Sequence, residues 1–287
     1  MKIFRLALLA ILLLPNVSFA KKEYPRAEMR ISYAYHHTHL KTDGKAYTDN
    51  LQMILLASPE YSKFYNAKTE FIDSLQSSPK GRSVYRQMIS AAAAEYVNTG
   101  NLDAVPGKPI HMYVFKSLPD SSITVYDHAG MEDCYYTEPL APVHWEIDDS
   151  TKTIMGYECI KATTDYHGRK WAAWFAPEIP LQEGPWKLSG LPGLILEVSE
   201  SSGQHSFKAD GIEKTDTEIK PVYNKKSYSK TSRKDMLKTQ RSWLLNGSTI
   251  TAGMIRDTPD GSTINMDTPL APEDSDLQVD FLETDYH

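Results

Sequence analysis

The feature that most constrains this chain is the close spacing of strand-like segments between residues 109 and 199. Seven stretches read as strands: 110–117, 122–128, 131–138, 143–148, 153–165, 169–176 and 193–199. They are rich in β-branched and aromatic residues, and Gly, Pro, Asp or Ser punctuates the gaps. Most gaps are too short to hold a crossover helix, so successive strands must pair as an antiparallel meander. Residues 28–39, 51–57 and 63–66 add strands before this run, and 204–213 and 217–223 add two after it.

Two stretches read as helices. Ser78-Pro79 opens the first, and Asn98-Thr99-Gly100 closes it. Tyr85, Met88, Ile89, Ala92, Ala93 and Tyr96 form a stripe at helical spacing that is expected to pack on the sheet. The second runs from about 232 to 245, capped by Ser232 with Asp235 at the capping-box position and stopped by Asn246-Gly247. The expected fold is therefore α+β. A single domain is dominated by antiparallel β-sheet, as a curved sheet or half-barrel or as a sandwich, with two main helices. Residues Glu146–Lys152 read as a hairpin turn. Gly190-Leu191-Pro192-Gly193-Leu194-Ile195 reads as a type II turn entering a core strand, with Pro192 second and Gly193 supplying positive φ at the third position.

Residues 1–20 have the pattern of a secretory signal peptide. Lys2 and Arg5 precede an apolar run, Leu6 to Leu14, that is too short to span a bilayer, and Ser18-Phe19-Ala20 offers a cleavage site. No cysteine follows the run, so a lipid anchor is not expected. The expected organisation is a leader over 1–20, a β-rich domain over 21–256 and an acidic C-terminal arm over 257–287, extended or partly disordered. An exported, periplasmic or secreted chain that does not span the membrane once the leader is removed follows from this.

The 31 basic residues include Lys2 and Arg5, so the mature chain sets 29 against 37 acidic ones. That balance argues against nucleic acid as a partner. Lys220 to Arg241 is basic, and Asp257 to His287 holds nine acids and no Lys or Arg. The two stretches can neutralise each other as solvated surfaces. Cys134 and Cys159 are the only cysteines. In an oxidising compartment they suit a disulfide, and two buried free thiols are the alternative.

From Trp145-Glu146-Ile147 the chain continues through Gly156-Tyr157-Glu158-Cys159-Ile160 and Arg169-Lys170-Trp171-Ala172-Ala173-Trp174-Phe175. Gly184-Pro185-Trp186-Lys187-Leu188 then leads to the hexapeptide at 190–195. This succession resembles the GLPGLI family of exported Gram-negative bacterial proteins, most closely over residues 143–213. The resemblance implies an exported protein associated with outer-membrane nutrient uptake, and it assigns no catalytic residue. The acidic insertion around Pro269–Asp276 departs from the family pattern.

On an extended 169–176, Trp171 and Phe175 share one face and Trp174 takes the other, so the sheet is either covered on both sides or lines a groove. With Arg169 and Trp186, these tryptophans are the candidate binding residues. His37 and His39 point the same way on a strand and suit two ligands of one copper or zinc ion. Asp127-His128 and Asp133 form a second polar group, suited to acid–base work. No nucleotide, zinc-protease or nucleophile-elbow motif is present. The expected role is a non-catalytic binding or accessory protein of the cell envelope, without a cofactor, whose partner is an outer-membrane or other envelope protein or a small ligand. The alternatives are an envelope hydrolase with a dispersed site and a periplasmic metal-binding protein.

Overall fold

Alternation along residues 29–40 buries Ile31, Tyr33 and Tyr35 on one face of the first strand. The same logic, repeated, builds one large sheet. A computed structural model describes residues 24–41, 43–100, 105–251, 255–257, 263–265 and 280–287. The expected leader at 1–20 and the acidic stretch 269–276 lie outside these residues. The first half holds β1 (Met29–Leu40), β2 (Ala46–Ala57), β3 (Tyr61–Asn66), α1 (Ala67–Gln76), α2 (Pro79–Thr99), β4 (Tyr113–Ser117), β5 (Ser122–Ala129) and β6 (Glu132–Pro139). The second half holds β7 (Glu146–Ile154), β8 (Tyr157–Tyr166), β9 (Arg169–Ala176), β10 (Leu194–Glu200), β11 (His205–Lys214), β12 (Ser229–Lys230) and α3 (Arg233–Thr251). A two-stranded pair, β13 (Ile255–Asp257) and β14 (Thr263–Asn265), follows.

The domain is α+β, with a mostly antiparallel open sheet of 12 strands in the order β12-β6-β5-β4-β3-β2-β1-β11-β10-β9-β8-β7. Two meanders, β1 to β6 and β7 to β11, are joined where β1 pairs antiparallel with β11. Tight turns with positive φ at Met155-Gly156 and His167-Gly168 link β7 to β8 and β8 to β9.

The sheet curls around the loop between β9 and β10. Ile179, Trp186, Leu188 and Leu191 of that loop are buried. Trp186 lies 5.6 Å from Trp171 of β9, while its neighbour Lys187 reaches Tyr136 Oη of β6 at 2.9 Å. Strands near opposite ends of the sheet order can meet at one loop only if the sheet is strongly curved. Lys116 of β4 fixes the same loop through Glu183 (2.8 Å) and the Leu188 carbonyl (3.0 Å). Tyr33 Oη donates to the Ile195 carbonyl at 2.7 Å. On the other face Ile54, Leu56, Tyr65, Tyr113 and Tyr126 form a smaller core with Ile219 and Val222.

Several expectations change. A third helix, α1, is present, capped by Asn66 Oδ1 accepting from Thr69 N–H at 3.0 Å. The α2 stripe packs mainly on α1 rather than on the sheet, and Ile89, Tyr96 and Val97 remain exposed. Residues 146–152 are not a turn: they lie within β7, whose register slips between Ile147 and Thr151. Residues 217–223 contribute an isolated bridge, Arg26 with Glu218, rather than a strand. The last eight residues of the expected arm are docked on the domain, with Glu283 buried. Cys134 and Cys159 are free, buried thiols. They sit on β6 and β8 with eight strands between them in the sheet order, so the expected bridge is not formed.

The hexapeptide forms a turn into β10, as expected, but by a different device. Gly190, not Gly193, takes positive φ, at +91°. Gly193 is required by crowding, because a Cβ there would sit 2.3 Å from the Ala176 carbonyl oxygen. We therefore expect Gly193→Ala to destabilise the domain by ~3 kcal/mol through backbone overpacking. Gly190→Ala, with open space around it, is expected to lose only ~1 kcal/mol for its φ. Chemical denaturation of the two variants checks the ranking, and equal losses would contradict it.

A histidine-lined cavity closed by the last helix and the C-terminal segment

A cavity of about 390 Å³ opens between the sheet, α3 and residues 281–283. β1 supplies His37 and His39, β2 supplies Asp49 and Leu51, and β5 supplies Val125, Asp127 and His128. His111 and Met112 enter from the segment before β4. Its size and mixed lining are those of a small-ligand site. No serine, threonine or cysteine lines it among the described residues.

Helix α3 forms one wall, for reasons visible in its sequence. Ser232 Oγ accepts from Asp235 N–H at 3.1 Å, which starts the helix as anticipated. Met236 and Leu237 then face inward and are buried, and the Trp243 ring packs over Gly130, where even a Cβ would meet it at an ordinary 3.5 Å contact. Gln240 locks the helix to β5 by donating to Asp127 Oδ2 (3.1 Å) and to the His128 carbonyl (2.9 Å). Burial pushes the Asp127 carboxyl up to about 6, against the hydrogen bonds from His128 N–H and Gln240.

A buried ion network holds the C-terminal segment in place. Lys187 Nζ is fully buried and lies 2.5 Å from Glu138 Oε1 of β6 and 2.7 Å from Glu283 Oε1. Arg233 at the start of α3 also pairs with Glu283 and with Asp285. His167 in the β8–β9 turn lies 3.3 Å from Asp285. Burial opposes ionisation of Glu283, but Lys187, His167 and Arg233 outweigh it and hold the carboxyl below its usual range. At Gly168 a Cβ would fall 2.2 Å from Thr284 Oγ1, so the turn needs glycine for the segment to approach. Trp186, lining the cavity beside this network, is held at φ +54°, a conformation bulky side chains seldom adopt.

The candidate residues fall into two groups. The faces of β9 are as expected, yet Trp171 and Trp186 are each 1% exposed and belong to the core, so they form no outer contact surface. Trp174 lies on the opposite face under Lys152 Nζ, 4.3 Å from its ring. Arg169 is buried and anchors the C-terminal segment, binding Asp280 and donating from Nε to the Phe281 carbonyl (2.9 Å). Both thiols are raised by burial, Cys134 to about 11, which keeps them protonated and unreactive.

His37 and His39 both reach the cavity, with ring centroids 3.8 Å apart. Their neighbours were not anticipated. His39 Nε2 lies 2.9 Å from Asp49 Oδ2, so His39 is already engaged. His37 instead faces His205 and Asp280. Burial and the neighbouring His37 push His39 down, and burial pushes His205 down against the pull of Asp280, which keeps both imidazoles neutral near pH 7. The rings of His111 and His128, which also line the cavity, have centroids 4.9 Å apart, with Asp133 Oδ1 3.6 Å from His128 Nδ1. The Asp127 carboxylate instead accepts from His128 N–H and from Gln240.

Residues 135–240 match the family model described as N-glycanase peptide, N-terminal domain. No curated protein matches the chain. Two solved structures of PNGF-II, in space groups P21 and C2, superpose with a TM-score of 0.46 each, at 15% and 14% identity. They cover 75% and 74% of this chain and 34% and 33% of theirs, so the chain spans about a third of their length. A domain described as an outer membrane lipoprotein-sorting protein from Vibrio parahaemolyticus superposes with a TM-score of 0.23 at 7% identity, covering 68% of this chain and 90% of that one. Among the described residues no helix is long and apolar enough to cross a membrane.

Two predictions follow from the walls of the cavity. Replacing Lys187 with Met leaves Glu138 and Glu283 buried without their shared cation, and we expect a loss of ~3 kcal/mol. The segment 280–287 should then become sensitive to carboxypeptidase, and unchanged resistance would refute the clasp. Asp127 has a raised folded pKa, so its protonated form stabilises the fold fully below ~3.9 and that contribution is lost as the pH rises through about 6. Asp127→Asn stays neutral throughout. Its stability relative to the parent protein should therefore rise by ~2 kcal/mol between pH 4 and pH 7.5 in urea titrations. A flat difference would show that the carboxylate is not buried against α3.

Proposed function

We propose that this is an exported, non-catalytic binding protein of the cell envelope, of the GLPGLI type, that holds a small ligand in the cavity under α3. The observation that carries the reading is the cavity itself: about 390 Å³, with a largely apolar lining and four imidazoles, those of His37, His39, His111 and His128. Export is supported by the leader pattern at 1–20 and by the order of blocks between residues 143 and 213. An accessory role is supported by the match over residues 135–240, which is to a domain of N-glycanase and not to a whole enzyme. The described lining holds no serine, threonine or cysteine, and its one hydroxyl, Tyr136 Oη, is engaged by Lys187 and Glu283, which supports binding over covalent hydrolysis.

The test uses the mature chain and 1-anilinonaphthalene-8-sulfonate as a cavity probe. The parent protein should bind about one equivalent with a blue-shifted emission, as expected for one apolar pocket of this size. Leu51→Trp fills the cavity from β2 and should abolish that signal while the melting temperature stays within a few degrees. Probe binding that survives this substitution would move the site elsewhere and sink the reading. Native mass spectrometry of protein taken from its host's envelope would then identify any retained ligand by its extra mass.

A further inference from the structure

Register, not sequence proximity, creates the best polar constellation in the molecule. β1 and β11 pair so that His37 lies directly opposite His205, and the two rings stack at 4.3 Å. The C-terminal segment then lowers Asp280 onto the pair. Asp280 Oδ2 is 2.8 Å from His205 Nε2 and 3.7 Å from His37 Nε2, and all three atoms lie within 4.8 Å of one another.

None of these three atoms makes a hydrogen bond, although each is buried. The 2.8 Å contact between His205 and Asp280 lacks hydrogen-bond geometry. His205 itself is 1% exposed. Buried polar atoms left in this state are costly unless something binds between them. A tetrahedral ion with bonds of ~2.0–2.1 Å holds its ligand atoms about 3.3 Å apart, and the two measured distances bracket that value.

The surroundings orient each ligand atom. Tyr35 Oη sits 2.8 Å from His205 Nδ1, which fixes the ring and leaves Nε2 as its free nitrogen. Arg169 takes Asp280 Oδ1, which leaves Oδ2 free. Arg169 also faces Glu200 at 3.4 Å, so these three charged groups together carry one net negative charge that a cation would offset. The other His-and-acid clusters differ. Glu283 and Asp285 are satisfied by Lys187 and Arg233, and in the third group His128 Nδ1 also lacks a hydrogen bond, but the side chains of His128 and Asp133 are 35% and 38% exposed.

We propose that His37 Nε2, His205 Nε2 and Asp280 Oδ2 bind one divalent first-row transition ion of the zinc type at the cavity wall. Two imidazoles and a carboxylate are the donor set that such ions prefer, and three protein ligands leave a coordination position for water or a cavity ligand. The ion also ties the last eight residues to β1 and β11. This inference deepens the cavity reading and rests on it for the role of the open position.

The test titrates Zn²⁺ into the metal-stripped mature chain against a chromophoric chelator. One equivalent should bind. Both His37→Ala and Asp280→Asn should weaken binding by more than the ~10-fold expected for the orienting variant Tyr35→Phe. His111→Ala should leave it unchanged. Co²⁺ in the parent protein gives a second readout that needs no variant to fold, since a site of this donor set shows visible ligand-field bands. Absence of both Zn²⁺ stoichiometry and Co²⁺ bands overturns the proposal, as does binding that survives His37→Ala and Asp280→Asn. Probe binding without Zn²⁺ binding would remove the metal and keep the cavity, and Zn²⁺ binding without probe binding would do the reverse.

Discussion

The ammonium of Lys187 is the point on which the structure turns. It is fully buried, and it faces two carboxylates brought from β6 and from the chain's last residues. A cation without water needs such partners, because leaving it unpaired costs more than most single contacts return. Satisfying it fixes the loop between β9 and β10 inside the curl of the sheet. Through Glu283 it also fixes Arg233, hence the start of α3, and through α3 the wall of the cavity. Lys116 with Glu183 and Lys63 with Glu70 repeat the pattern on β4 and β3. A buried lysine with a glutamate partner is thus a recurring fastening in this fold.

The local part of the architecture was legible because local rules govern it. Alternation marks β1, β5, β9 and β10, and their observed bounds agree closely with the expected ones. Both caps of α2 and the N-cap of α3 carry the residues that capping requires, whereas α3 runs through the expected stop at Asn246-Gly247 to Thr251. Helix α1 was not legible, since Ala67–Gln76 is short and Asn66 serves both as the end of β3 and as the cap. Residues 146–152 mislead for a related reason: Asp-Asp-Ser is turn chemistry, and here it forms a bulge within a strand. The roles within the hexapeptide were assigned from φ alone, whereas the approach of Ala176 is what makes Gly193 necessary.

The site was half legible. His37 and His39 stand out because strand geometry places both on one face. His205 and Asp280 do not, because 168 and 243 residues separate them from His37 and no periodicity reports pairing over that distance. His39 was grouped with His37 by parity, but Asp49 across the β1–β2 ladder claims it. The tryptophans were conspicuous for composition, and the core accounts for Trp171 and Trp186. The pairing of β1 with β11, the longest-range contact in the sheet, is therefore also what assembles the most informative chemistry.

The bulged strand β7 has a consequence for how this molecule can meet other proteins. An open sheet ends in strands with unused hydrogen-bonding groups, which invite another strand to add on. At one end β12 is two residues long. At the other, β7 carries Asp148 and Asp149, and its slipped register breaks the row that an incoming strand would need. Both rims are thereby blunted against self-templating. A partner of this domain must be recognised through side chains and pockets, not by extending the sheet.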